Sequence, residues 1–266
     1  MATLNAPRKG YVETKDGQLH FWRSGGGPVL VCLHQASQDS SEYHALIPTL
    51  APHHTLIAFD LPGHGQSFDP PREYDVPDYA QTLMEAVEKL KLGRVAVLGH
   101  HSGSVFALEM AAGFPHNVSK VILSGMSWRS AENVQALLES RAARHLPVTE
   151  DGQFLSTMWG TYAALVGEGM PLDSVLEPYL VNQLMRLRPY DAHNVVLAWD
   201  KRPAMRALSC PALILQGERD VFVVGQDKLM ELMPSAQRKV IAGAGAFSFR
   251  DRPHEAAQII QEFLAL

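Results

Sequence analysis

The stretch that decides the fold is Val97-Leu98-Gly99-His100-His101-Ser102-Gly103-Ser104-Val105-Phe106. An apolar, strand-like run leads into it and an amphipathic helical pattern follows. Gly99 and Gly103 bracket His101, the Gly-x-Nuc-x-Gly frame of a nucleophile elbow. Such a turn holds its apex side chain on strained backbone, and bulk two residues to either side would clash. Ser102 at the apex would put His100 and Ser104 at the flanks, and His100 is too large. The frame therefore selects His101, a histidine where a serine would be expected.

The chain has 266 residues, of which 46% are hydrophobic. That is enough for one large core or a core with an inserted lid. A net charge of -5 gives no basic footprint, so no nucleic-acid partner is expected. No run of about 18 apolar residues occurs, and no membrane partner is expected. The first ten residues lack the apolar stretch of a secretory signal, which points to the cytoplasm. The two cysteines, Cys32 and Cys210, lie in or beside strand-like runs and read as free thiols in a reducing compartment. There is no CxxC, HExxH or P-loop pattern.

Short apolar runs alternate with longer helical patterns, which predicts a mostly parallel, doubly wound α/β sheet. Strands are expected at Leu19–Arg23, Val29–His34, Thr55–Asp60, Val95–Gly99, Val121–Ser124, Ala212–Gln216 and Lys239–Ala242. The turn signal Lys15-Asp16-Gly17-Gln18 makes the first of these part of a hairpin. Core helices are expected at Ser41–Leu50, Val76–Leu90, Gly103–Gly113, Gly225–Met233 and His254–Leu264. The alternation breaks between residues 127 and 199, where helices are expected at Glu132–Ala143, Gln153–Leu165, Leu172–Arg186 and Ala192–Trp199. The expected organisation is a core of residues 1–126 and 200–266 with a helical cap at 127–199. Trp128, Met158, Trp159 and Tyr162 in the cap suit an apolar ligand pocket and equally suit plain packing.

Four ordered motifs carry a resemblance to the α/β-hydrolase fold, in its cap-bearing branch. Leu33-His34-Gln35-Ala36 resembles the family's oxyanion loop, with Gln35 for its glycine. Asp60-Leu61-Pro62-Gly63-His64-Gly65-Gln66-Ser67 resembles its Asp-x-Pro-Gly-x-Gly-x-Ser turn. Gly99–Gly103 matches the elbow, and Gly217-Glu218-Arg219-Asp220 the segment that supplies the acid. The resemblance spans nearly the whole chain. It implies a nucleophile, histidine and acid acting together. Ala246, in Gly243-Ala244-Gly245-Ala246-Phe247, falls where the family has its histidine. Only Asp220 of the three positions keeps its type. Because the elbow departs as well, Ala246 is read as natural rather than as an engineered trap, which would need one change.

A neutral imidazole can serve near neutral pH without a separate base. At a helix start the dipole is expected to lower the His101 pKa. His101 is thus the candidate nucleophile or general base, with Asp220 beside it. The amides of Ser102 and of Ala36 or Gln35 are the candidate oxyanion hole. His34, Trp128 and the Ala246 position are expected around the pocket. Ser102 as a shifted nucleophile is the lesser alternative, since its side chain should point into the helix start as a cap. Asp60 reads as a turn-forming carboxylate and His64 as loop packing. A metal is not expected: zinc needs three ligands in fixed geometry, and the adjacent His100 and His101 should diverge. No cofactor is implied.

The expected activity is hydrolysis of a small, partly apolar ester, lactone or β-diketone. The alternatives are a lyase or cofactor-independent dioxygenase on the same fold, a ligand-binding relative without turnover, and a trapped His→Ala mutant. A small-molecule substrate is the expected partner. The sequence leaves monomer and homodimer open.

Overall fold

The computed structural model describes residues 7–143, 147–185 and 187–266, with the side chains of 141–143 excepted. The expected helix end at Arg186 and most of the leader stretch, Met1–Ala6, lie outside the described residues. Eight strands build one sheet: β1 Arg8–Glu13, β2 Gln18–Gly25, β3 Val29–Leu33, β4 Thr55–Phe59, β5 Val95–His100, β6 Val118–Ser124, β7 Ala212–Gly217 and β8 Gln237–Ile241. Their order is β1-β2-β4-β3-β5-β6-β7-β8. β1 and β2 pair antiparallel, β2 pairs antiparallel with β4, and all remaining pairs are parallel.

The helices in chain order are α1 Ile47–Leu50, α2 Val76–Lys89, α3 Ser102–Gly113, α4 Ala131–Ala143, α5 Gln153–Ala163, α6 Leu176–Met185, α7 Ala192–Ala198, α8 Arg202–Ala207, α9 Gln226–Leu232, α10 Ser248–Asp251 and α11 Pro253–Ala265. Alternation along the central strands explains why both faces of the sheet are covered. Val31, Leu33, Val95 and Val97 enter one buried cluster with Phe106 and Leu83. Leu30, Cys32, Ala96 and Leu98 enter the other with Leu46, Ala257 and Ile260. Strands buried on both sides read as unbroken apolar runs, the pattern of parallel sheets.

All seven expected strands form. The eighth, β1, went unread because Arg8–Glu13 is an edge strand burying only Val12. The expected helix Ser41–Leu50 is split into a 3-10 segment, Ser40–Leu46, followed by α1. Pro48 lacks the N–H that would continue the helical ladder. α2 starts on a capping box in which Asp75 accepts from the Asp78 amide and Asp78 from the Asp75 amide, both at 2.9 Å. α4 to α8 lie between β6 and β7. Both thiols are free, Cys32 buried and Cys210 partly so.

Candidate active site

β5 delivers the elbow. Its last pairs are Leu33↔Gly99 with β3 and His100↔Ser124 with β6, so the chain leaves the sheet at its centre. His101 then takes φ 45° and ψ -110°, the left-handed apex that the two glycines make room for. A Cβ on Gly99 would strike the Gly103 carbonyl, and one on Gly103 the Leu33 carbonyl. His101 is the N-cap of α3 but makes no side-chain cap bond; Ser102 is already helical and does not cap. The expectation of a Ser102 cap is thereby corrected, because the apex residue itself takes the non-helical position.

The His101 ring turns toward the acid. Its Nε2 lies 3.0 Å from Asp220 Oδ2. The approach is close but off-axis, since neither atom completes an aligned hydrogen bond among the described residues. The other Asp220 oxygen accepts the Phe222 amide at 3.0 Å. Nε2 is fully buried, while the side chain as a whole keeps 12% exposure. Burial pulls the His101 pKa down, but the Asp220 carboxylate, with Glu42 further off, outweighs it and leaves it raised. The expected lowering by the helix start is therefore corrected: a carboxylate in contact beats a half-charge dipole. In return, His101 holds the buried Asp220 below its usual range against the cost of desolvation.

Gly125 makes the ring's position possible. Its φ is +65°, and a Cβ there would stand 3.0 Å from His101 Nε2 and Cε1. The sequence reading did not single out Gly125. It also missed Glu42, whose polar place in a half-exposed helix gave no signal. Glu42 is 2% exposed and accepts from three groups: His100 Nδ1 at 2.7 Å, the Gln35 amide at 3.0 Å and the Gln35 side chain at 2.7 Å. Burial raises its pKa, yet His100 and Gln35 more than reverse that and hold it at about 2.

Glu42 thus consumes the Gln35 amide. Of the candidate oxyanion donors, Ala36 and Ser102 remain, each 5% exposed. His34 is buried with both nitrogens engaged: Nδ1 donates to the Gln35 carbonyl at 2.7 Å, and Nε2 accepts from the Leu61 amide at 3.0 Å. It ties the Leu33–Ala36 loop to the Leu61 turn and has no free nitrogen to offer a ligand. Trp128 sits beside Gly225, its amide bonded to the Val224 carbonyl at 2.9 Å, and packs on the sheet core. Ala246 is 2% exposed, and its carbonyl lies against the His101 ring. Asp60 accepts the Ser40 and Gln66 amides and His20 Nδ1, each at 2.8 Å, as a turn-forming carboxylate does.

His100 and His101 do not diverge. Their ring centroids are 4.5 Å apart at an interplanar angle of 50°. The sharp apex folds the second imidazole back over the first, which overturns the expectation drawn from their adjacency. The Phe249 ring lies 4.6 Å from the His100 ring at a tilt of 43°, and Phe222 meets His101 edge-on at 6.0 Å. Surface hollows of about 330 Å³ near Gly65 and Arg188 and about 210 Å³ near Phe263 are not lined by His101.

A sequence profile described as alpha/beta hydrolase fold matches residues 28–253. The chain belongs to this family. An uncharacterised protein of Mycobacterium tuberculosis is 27% identical over 270 residues, covering 92% of this chain and 77% of the relative. A pimeloyl-[acyl-carrier protein] methyl ester esterase of Xylella fastidiosa is 26% identical over 266 residues, covering 91% and 97%. The crystal structure of E-2-(acetamidomethylene)succinate hydrolase superposes with a TM-score of 0.79 at 23% identity, covering 98% of this chain and all of that one (100%). The relatives of this α/β-hydrolase-fold chain therefore include an esterase and a hydrolase of small substrates. No described helix is long and apolar enough to cross a membrane.

Proposed function

We propose that the protein hydrolyses a small, partly apolar ester, lactone or β-diketone, with His101 as the reactive group. The observation that carries this reading is the 3.0 Å approach of His101 Nε2 to Asp220 Oδ2 from the apex of the elbow. The imidazole that relatives of the resemblance keep on the loop at Ala246 stands here on the elbow, still against the acid. With Asp220 facing Nε2, the neutral ring keeps its proton there and presents its lone pair at Nδ1. Nδ1 then either attacks the carbonyl carbon, expelling the leaving group, which takes up a proton, and giving an acyl-imidazole that water hydrolyses, or takes a proton from the water that attacks directly; both use the same tautomer. The amides of Ala36 and Ser102 receive the developing oxyanion. The packing of Ala246 against the His101 ring supports a natural lineage over an excised base, because no imidazole-sized gap is needed to explain Asp220's direction.

Residues 127–199 act as a cap over the core, and substrate reaches His101 past Val221 and Phe222, which are 69% and 44% exposed. Soluble, cytoplasmic action on a small molecule without a cofactor fits this reading. Turnover of short-chain aryl esters by the wild type and by His101→Gln tests it. Loss of about 10³-fold or more in kcat/KM is expected, the scale of removing a base or nucleophile. Full turnover in His101→Gln refutes the role. Incorporation of oxygen from labelled O₂ rather than labelled water would assign the dioxygenase alternative instead.

A further inference from the structure

We propose that His100, His101 and Asp220 form a binding site for one divalent transition-metal ion of the zinc or cobalt type. One donor atom from each of the three side chains lies within 4.8 Å of the other two. His100 is 1% exposed, and its Nε2 is buried with no hydrogen-bond partner among the described residues. His101 Nε2 and Asp220 Oδ2 are buried as well and face each other at 3.0 Å as an ion pair rather than an aligned hydrogen bond. The orphaned His100 Nε2 beside this pair is costly unless something takes its lone pair, since buried polar groups are almost always satisfied.

The chemistry of the donors selects the ion. Glu42 accepts from His100 Nδ1 at 2.7 Å, so the His100 proton is fixed on Nδ1 and the free lone pair is on Nε2. A carboxylate behind a histidine is the arrangement that orients metal-bound imidazoles and makes them more basic. Two imidazole nitrogens and one carboxylate oxygen suit zinc or cobalt, not magnesium or calcium, which demand oxygen ligands. Two ionised carboxylates, Glu42 and Asp220, border the cluster; a dication neutralises both with the two imidazoles uncharged. Bond lengths near 2.0–2.2 Å place tetrahedral donors roughly 3.3–3.5 Å apart, so the widest pair needs to close by no more than about 1.5 Å, while the His101–Asp220 pair, now at 3.0 Å, opens slightly. Water would take the fourth position. The Asp220 side of the cluster carries the exposed Val221 and Phe222, the short way in from solvent.

Such an ion takes the His101 Nε2 lone pair and forces the ring proton to Nδ1. Occupancy and base catalysis by His101 then exclude each other; this consequence rests on the proposed function, whereas binding itself does not. The site is therefore one of inhibition, through which a divalent ion switches turnover off.

The test is titration of the chelator-treated full-length protein with Co²⁺, read by the visible absorption of tetrahedral cobalt, and with Zn²⁺ by calorimetry, both without substrate. One ion per chain is expected, with affinity lowered at least about 10-fold by His100→Gln and by Asp220→Asn and about 10–100-fold by Glu42→Gln. Circular dichroism checks that each variant is folded. The proposal is overturned if the folded wild type takes up neither ion at about 0.1 mM. It is equally overturned if uptake is undiminished in both His100→Gln and Asp220→Asn, which would place the ion on surface histidines. Turnover is followed separately. Binding that leaves aryl-ester turnover intact keeps the site and removes His101 as the base; absent turnover in the metal-free wild type removes the proposed function and leaves the binding result standing.

Discussion

Asp220 and His101 meet across the sheet's carboxyl edge, Oδ2 to Nε2 at 3.0 Å, although 118 intervening residues separate them between the ends of β5 and β7. The two strands flank β6 in the sheet, and parallel strands bring their carboxyl ends to one side. An elbow imidazole can therefore reach an acid that would otherwise serve a loop histidine. Asp220→Asn should leave the fold intact, because the Phe222 amide still finds an acceptor. It should lower kcat on aryl esters by about 10²–10⁴-fold, as when the tautomer-setting acid of a triad is lost. Unchanged kcat in a folded variant would show that the contact does not serve chemistry.

Gly125→Ala probes the ring's seat. The new methyl meets His101 Nε2 and Cε1 at 3.0 Å, and φ of +65° disfavours any L side chain. A stability loss of about 1–2 kcal/mol is expected from the backbone alone. Turnover should fall with it, since the ring must move off Asp220. Chemical denaturation and steady-state kinetics measured together separate the two effects, and a destabilised variant with normal kcat would contradict the seat.

Ala246→His restores the residue type of the family's loop histidine. Ala246 is 2% exposed, and its neighbour Phe247 stacks on Tyr162 with centroids 5.8 Å apart. The added ring overpacks the site, at a cost of about 1–3 kcal/mol. No gain in esterase turnover is expected, because the acid is already occupied by His101. A large gain would mean that the elbow histidine is not the native reactive group.

His64 sets a pH dependence of stability. Its Nε2 lies 2.8 Å from the Ala36 carbonyl and its Nδ1 3.0 Å from the Pro62 carbonyl. Burial is the largest influence on its pKa, and with His34 it lowers the value from 6.5 to about 3. The folded state therefore leaves His64 neutral where the unfolded chain protonates it. Stability attributable to this residue is present above about pH 6.5 and declines as pH falls toward 3. Denaturation midpoints of wild type and His64→Gln, followed from pH 7 to pH 4, should show a shallower decline in the variant. Parallel curves would remove His64 from the acid sensitivity.

Glu42 holds the loop that carries Gln35. Glu42→Gln weakens its bond to His100 and one of its bonds to Gln35, and a loss of about 1–3 kcal/mol is expected for impairing a buried, charge-assisted network. If the thermal midpoint is unchanged, the network carries no stability.

Motif order and apolar runs made the fold legible in the sequence. Strands buried on both faces leave unbroken apolar segments, and the glycines at 99 and 103 announce an apex because no other residue fits beneath it. The same local sterics selected His101 and the turn role of Asp60. Tertiary structure alone decided what the apex faces: that His101 leans on Asp220, that His100 folds beneath it rather than away, and that Glu42 claims the Gln35 amide. The His101–Asp220 pair and the Glu42–His100 bond behind it join residues 119 and 58 positions apart. Charge and packing across such distances leave no periodic trace along the chain, so the direction of the His101 pKa shift, set by a contact carboxylate rather than by its own helix, became visible only once the chain was folded.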